Sequence, residues 1–347
     1  MNEFLKGILD GIYGLVNNYG LSIVLFTILV RLVLMPLDYK SRVGMRKMSK
    51  LAPKQAELQK KYEKDPDKMQ RKLAELYKKE NVSPMSSCWP MLVSMPILFA
   101  MFAAMRMMAN EQIIEQTFNL ILTGETALEP FLWIKNLWMP DSPFNSALPS
   151  VQSLQMIEAR DWLTVSNAWL AETPELIAQL SQKVGIELTA DSFAKEALKD
   201  TIAAISTAMT NTEGYAAQTA AVPYMTINLI LTQLTVVKDW NGLFLLPLLS
   251  AGSQYLMTVL NPQQTQPQPT GKDGQQQPNT GNFMKWFFPL FSLWICAGYN
   301  AAFALYWVTS NLIAMAQNFC INKYLDHKEA IAEANPTADS EKGMGVK

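Results

Sequence analysis

One arginine inside an apolar run is the residue whose type and place could do chemistry. Arg31 lies in LSIVLFTILVRLVLMPL (21–37), with Thr27 four residues before it and Met35 four after, on one helical face. A guanidinium is permanently charged and offers five donors and no acceptor, so its chemistry is attraction of carboxylate or phosphate. At membrane depth such a charge costs at least ~2.5–3.5 kcal/mol and usually faces a protein interior or a wet cavity. The alternative use is snorkelling, because Arg31 sits six residues from the end of the run and its stem could reach the headgroups. Two more polar stripes bear on the choice. Ser250, Gln254, Met257 and Asn261 share a helical face, and Asn300, Ala304, Trp307, Asn311, Ala314 and Asn318 alternate by four and three. Each stripe alone suits helix packing. Three together, one carrying an arginine, favour a polar cavity open to water or to one leaflet.

Other chemistries find little here. Cys88, Cys296 and Cys320 form no CxxC pair, and the single histidine, His327, stands in a charged tail. Zinc sites and histidine catalysis therefore lack their residues, and no cofactor is expected. The five most apolar stretches hold no Asp, Glu or His, which argues against an intramembrane protease. No G-x-x-x-x-G-K-[ST] motif occurs, so no nucleotide-driven motor is expected, and no specific nucleic-acid site is indicated.

The elements that position these residues are apolar helices. Spans are expected at 21–37, 91–105, 243–260, 286–299 and 301–319. The first has 17 residues, which at about 1.5 Å each reach roughly 26 Å, enough for a bilayer core. The start of the chain has no basic n-region, apolar core and small-residue cleavage site, so no cleavable signal peptide is expected. Phe4, Ile8, Ile12 and Val16 instead place an amphipathic helix over 1–20, lying on a membrane surface.

Charge sets the topology. Residues 38–90 carry 14 Lys and Arg against 7 Asp and Glu, whereas residues 106–242 carry 7 against 15. The positive-inside rule puts 38–90 in the cytoplasm, the N-terminus outside and the C-terminus inside. Within 38–90, Met45, Met48, Leu51, Leu58 and Tyr62 recur at helical spacing, as do Met69, Leu73 and Leu76. Asp65-Pro66-Asp67 between them is a helix-start signature, so the segment reads as a mobile helical hairpin, with Pro53 bending or interrupting its first arm.

Residues 145–241 form a mostly helical extracytoplasmic insertion, with helical composition over 150–170, 174–184 and 192–209 and capping signals at Thr173-Pro174-Glu175 and Asp191. The stretch 224–237 is expected to be interfacial or packed rather than spanning. Residues 261–285 read as a Gln- and Pro-rich cytoplasmic loop, and 322–347 as a disordered cytoplasmic tail. Of the 20 methionines, 11 fall between Met35 and Met108, a soft surface suited to many unlike apolar sequences.

Several of these stretches carry a resemblance. NYGLSIVLFTILVRLVLMPL (18–37), LAPKQAELQKKY (51–62), AELYKKENVSPMSSCWPMLVSMPILFAMF (74–102), FLWIKNLWMPDSPF (131–144), LFLLPLLSAGSQYL (243–256), MKWFFPLFSLW (284–294) and ALYWVTSNL (304–312) resemble the YidC/Oxa/Alb membrane protein insertases in their bacterial five-span form. The resemblance implies an all-α integral membrane protein: five transmembrane helices around a hydrophilic groove open to cytoplasm and lipid, plus the cytoplasmic hairpin 38–90. The family's groove arginine falls on Arg31, its glutamine on Gln254 and its aromatic on Trp307, beside Thr27 and Asn311. The hairpin's recruiting residues would be Met45, Met48, Lys54, Lys60, Lys61, Arg71 and Lys72. Where relatives often start the last span with Pro-Ser/Ala-Gly, this chain has Asn300, Ala301 and Ala302, and the insertion at 145–241 falls outside the family pattern.

The implied function is that of an insertase and chaperone in the bacterial plasma membrane. It would take nascent single- or double-span proteins from the cytoplasm and release their apolar segments into lipid, alone or with the Sec translocon. Its expected partners are nascent membrane proteins, the bilayer, the ribosome, the signal recognition pathway and the Sec translocon. The alternative is a small-anion transporter or channel using Arg31, against which the chain shows no repeat of its polar stripes in two matching halves.

Overall fold

The computed structural model describes residues 2–80, 82, 89–219, 225–228, 233–260 and 280–334. The described chain is mostly helix and packs as two units. The first comprises residues 1–26, 99–251 and 291–308, and the second 27–98, 252–290 and 309–347. The chain passes between the units within α2 (Tyr19–Lys61), α4 (Trp89–Thr123), α10 (Leu245–Leu260), α11 (Thr280–Gly298) and α12 (Ala301–Ala334). Of these, α2 and α4 are each long and apolar enough to cross a bilayer, and α10 is a shorter apolar helix. The loop expected over 261–285 is already helical from Thr280, and the tail expected to be disordered from 322 continues α12 as helix to Ala334; residues 261–279 and 335–347 lie outside the described residues.

The first unit is organised by the second half of α4. Its apolar run reads as ending at 105, yet the helix continues for about five more turns, burying Ile113, Ile114, Phe118, Leu120 and Ile121. The insertion covers that face. The Phe118 ring lies 6.2 Å from Trp162 and 5.2 Å from Trp169, both on α6 (Ala159–Glu172), and 6.5 Å from Phe193 on the 3-10 turn Ala190–Phe193. Trp162 and Phe193 stack at 5.9 Å. Polar contacts fasten the same face: buried Asn110 donates to Asp161 at 2.7 Å, and Arg106 pairs with Glu158 at 2.8 Å. Lys183, on α7 (Pro174–Val184), donates to the last carbonyls of α4, Ile121 at 3.0 Å and Leu122 at 2.9 Å, the favoured place for a cation at a helix C-terminus. The insertion is completed by α5 (Val151–Gln155), α8 (Leu198–Asn211) and α9 (Glu213–Thr219).

At the other end of the sequence order, α1 (Asn2–Val16) buries Leu9 and pairs Lys6 with Glu111 on α4. Tyr13 stacks on Tyr19 at 3.9 Å, and Tyr19 meets Trp138 edge-on at 4.9 Å. One departure from helix occurs in 224–237. Met225–Asn228 (β1) and Gln233–Val236 (β2) pair antiparallel, so the described part of this stretch contributes two short strands. Its β-branched Thr226, Ile227, Thr235 and Val236 favour the pleated backbone.

A buried loop joins helix starts in this unit. Asn241, fully buried, donates its amide to the carbonyls of Asn136, Met139 and Pro140 at 2.8–3.0 Å and accepts from the Asn136 N–H at 2.7 Å. The Asp141 carboxylate, also fully buried, accepts from the N–H groups of Phe244 (3.1 Å) and Leu246 (2.7 Å), capping α10. Gly242 is required beside it, because a Cβ there would meet Asp141 Oδ1 at 2.0 Å. The start of α12 is treated alike. Asn300 Oδ1 accepts from Phe303 N–H at 2.9 Å, while Ala301 and Ala302 donate to Met139 and Leu137 carbonyls at 2.9 and 2.8 Å. The departure from Pro-Ser/Ala-Gly thus leaves a working cap with two fully buried alanines that let the loop approach.

In the second unit α2 runs as one helix through Pro36 and Pro53 to Lys61, so Pro53 does not interrupt the first arm. An internal proline costs about 3 kcal/mol. Burial of Leu51 and the 2.8 Å Lys54–Glu80 ion pair stand on either side of Pro53 and oppose that cost. The second arm, α3 (Pro66–Lys79), starts where the signature places it: Asp65 accepts from Lys68 N–H at 3.1 Å and Pro66 occupies the first turn. Met69 and Leu73 are its buried residues. The first arm is also tied to α12, where Arg46 pairs with Asp326 and, at 3.5 Å, Glu329, and Lys50 pairs with Glu329 at 3.0 Å.

Asp141→Ala should lower stability by about 1–2 kcal/mol, the loss of a cap that leaves the Phe244 and Leu246 N–H groups and the Trp133 indole N–H without this acceptor. Thermal unfolding of the detergent-solubilised protein checks this, and Asp141→Asn should recover part of the loss.

Candidate functional site

The sequence-selected polar residues fall on three helices. Four of them, Thr27, Arg31, Gln254 and Asn311, belong to the second unit, and Trp307 belongs to the first. Thr27 is fully buried, so it packs rather than lines open space. Arg31, one turn on, is half-buried, and its guanidinium turns to α12. Its Nε and Nη2 donate to Ser310 Oγ at 2.9 and 2.6 Å. The same residue's carbonyl accepts from Gln317 Nε2 at 3.0 Å. Arg31 therefore bridges α2 to α12 through a neutral hydroxyl, and among the described residues it forms no ion pair. Its charge is not matched by a carboxylate in hydrogen-bond contact, although Asp38 lies within electrostatic reach.

Asn311 is 8% exposed and donates to Ser253 Oγ on α10 at 3.1 Å. Gln254 beside that serine is half-buried, and its carbonyl accepts from the Thr258 hydroxyl at 3.0 Å. Within the first unit the Trp307 ring lies 5.6 Å from Phe303, and its buried indole N–H has no hydrogen-bond partner among the described residues. Asn261, the last member of the α10 stripe, lies outside the described residues.

Sequence reasoning passed over several residues here. Ser310 and Gln317 share a face with Ala314 at spacings of three and four, a periodicity readable beside the Asn311 stripe. Asp38 and Arg42 follow Arg31 on α2 at seven and eleven residues, hence on one side of the helix. Burial raises the Asp38 carboxyl above the usual range, with the charges of Arg31 and Arg42 pulling it back. Burial lowers Arg42, which is 5% exposed, with Asp38 opposing. Two arginines and one half-buried carboxylate thus line up along this face.

The hairpin residues divide by pairing. Lys54 is held by Glu80, and Lys72 pairs with Glu75 at 2.6 Å. Lys60, Lys61 and Arg71 are exposed and outside any ion pair among the described residues. Met45 and Met48 are half-buried on the first arm.

A family model described as 60Kd inner membrane protein matches residues 11–329. The chain belongs to that family. It is similar to a protein from Clostridium perfringens (strain 13 / Type A) named Membrane protein insertase YidC, 41% identical over 135 residues, which are 38% of this chain and 50% of that protein. Proteins with the same name from Helicobacter pylori (strain ATCC 700392 / 26695) and Chlorobaculum tepidum (strain ATCC 49652 / DSM 12025 / NBRC 103806 / TLS) are 44% identical over 102 residues and 40% identical over 132. Those matches cover 28% and 38% of this chain and 19% and 20% of the relatives. The chain spans half or less of the length of these relatives. Membership is consistent with the mostly helical fold.

The hairpin's Lys54–Glu80 pair should respond to acid. The hydrogen bond and charge from Lys54 hold the Glu80 carboxyl below the ordinary glutamate range. A depressed carboxyl contributes above its unfolded pKa, and that contribution disappears as pH falls through the lowered folded value. Amide exchange near residues 54 and 80 should therefore quicken below the ordinary glutamate range, and Glu80→Gln should remove this dependence.

Proposed function

We propose that this chain is a membrane protein insertase that offers a charged, wet surface partway across the bilayer to segments arriving from the cytoplasm. The observation that carries the reading is Arg31, held by the neutral Ser310 hydroxyl instead of a carboxylate. Family membership and the insertase name of its relatives support the same function. An incoming segment has a short polar part for which hydrocarbon is costly. An unneutralised guanidinium attracts acidic residues in that part and lowers the barrier, since charge–charge attraction strengthens as the dielectric falls. The apolar part then moves sideways into lipid.

Within this proposal five spans surround a hydrophilic groove, with the N-terminus outside and the C-terminus in the cytoplasm. Gln254 borders it beside Arg31, while the buried Thr27 and Asn311 pack behind it. The hairpin 38–90 recruits substrate in the cytoplasm through its unpaired Lys60, Lys61 and Arg71 and its methionines, and it is the surface for ribosome, signal recognition or Sec partners. The insertion 145–241 stands on the outer side as a lid over the end of α4. No catalytic step and no cofactor is needed, because partitioning into lipid is downhill once the polar part has crossed. The small-anion transporter reading draws no support from the names of the relatives.

Proteoliposome reconstitution tests the proposal, scoring insertion of a short single-span protein beside anion uptake. Arg31→Lys should keep most of the activity. Arg31→Ala should lose it by tenfold or more for substrates with acidic outer segments, the effect of about 1.4 kcal/mol. Full insertion of such substrates by the alanine variant, or anion uptake without insertion, would overturn the reading. Deleting the hairpin should reduce insertion while the spans stay in the membrane. Shortening 150–236 to a Gly/Ser linker, which keeps Asn241 and the buried loop, should leave basal insertion largely intact once Phe118, bared on α4, is also replaced by a polar residue.

A further inference from the structure

The second unit carries an apolar cleft outside the polar site. It has a volume of about 410 Å³ and is lined by Leu32, Met35, Pro36 and Tyr39 of α2 and Ile321 of α12, with Lys40 at its margin. Its walls are almost wholly apolar except at that lysine. Lys40 is exposed and forms no ion pair or hydrogen bond among the described residues, although nearby Arg46 and Lys50 are both paired to α12 carboxylates. The cleft runs along the last turns of the apolar run 21–37 and ends where the basic segment starts. Tyr39 and Tyr324 stand together there with ring centroids 6.3 Å apart, and Tyr324 is 57% exposed. Paired tyrosines beside a lysine at the end of an apolar helix mark headgroup depth.

We propose that this cleft is a binding site for one anionic phospholipid of the cytoplasmic leaflet. An acyl chain would lie along Leu32, Met35, Pro36 and Ile321, and the phosphate would sit on the Lys40 ammonium with Tyr39 at its side. Charge complementarity selects this occupant over others. A substrate's apolar segment has no use for an unpaired cation at the margin, and a zwitterionic lipid gains less from it. Basic pockets between helices on the cytoplasmic side are the expected form of such recognition. The inference rests on the membrane reading of the chain but not on insertase activity. Bound lipid at α2 and α12 would brace the same two helices that Arg31 and Ser310 join.

Native mass spectrometry of the full chain, released from detergent after incubation with phosphatidylglycerol and phosphatidylcholine, tests this. The wild type should retain phosphatidylglycerol in preference. Lys40→Gln should cut that preference about fivefold, the worth of one lysine near a lipid surface. Lys60→Gln, which removes the same charge elsewhere, should leave it unchanged. Leu32→Trp fills the cleft from an exposed position and should lower retention of both lipids while helix content by circular dichroism is kept. Equal preference in wild type and Lys40→Gln, an equal drop for Lys60→Gln, or unchanged retention by a folded Leu32→Trp would each overturn the site. A photoreactive substrate segment that crosslinks at Leu32 and is not displaced by phosphatidylglycerol would assign the cleft to substrate instead. Insertion assays on the same variants report separately on the insertase reading.

Discussion

Backbone amides at a helix start have no partner inside their own helix, and lipid offers none, so a membrane helix bundle depends on something else to receive them. Here a single buried loop does this. Asp141 takes the N–H groups of Phe244 and Leu246, the carbonyls of Leu137 and Met139 take those of Ala302 and Ala301, and Asn241 binds the loop's own carbonyls together. Remove the loop's geometry and two helix starts lose their partners at once. The tight requirements at Gly242 and at the buried alanines follow from the same constraint, because the loop has to approach both starts closely.

The sequence showed local features well and distant ones poorly. Asp65, Pro66 and Asp67 specify a helix start among themselves, and α3 begins at Pro66. The Thr173-Pro174-Glu175 signal likewise marks α7. By contrast, the far half of α4 is covered by aromatic residues that the insertion contributes 44, 51 and 75 residues after Phe118, at Trp162, Trp169 and Phe193. Hydropathy falls at Arg106, so the apolar run reads as ending there although the helix does not. Pro53 shows the converse: a proline's local cost is visible in the sequence, while the contacts that let the helix continue through it are not.

The polar site shows the same division. Arg31 stands out because a charge in an apolar run is rare. Its acceptor, Ser310, does not stand out, since serine is common in such helices and its role depends on which face meets α2. Thr27 and Asn311 stand on polar stripes of the sequence, yet both are buried as packing residues, and only coordinates distinguish lining from packing. Asp38 and Arg42 were counted as part of a basic segment, which concealed that they continue the Arg31 face.

The ties between α2 and α12 change what the basic segment presents to the outside. Its count of 14 cations against 7 anions describes a sequence, whereas a visiting molecule meets a field. Arg46 and Lys50 are already neutralised by Asp326 and Glu329, which belong to a different stretch of chain. Cations outside any ion pair among the described residues remain at both ends of the first arm, Lys40 where it leaves the bundle and Lys60 and Lys61 at the hairpin tip, with Arg71 on the second arm. Such a layout orients an approaching acidic surface before contact, and because exposed charges are screened over about 8 Å at physiological ionic strength, the orientation acts only in the last stage of approach.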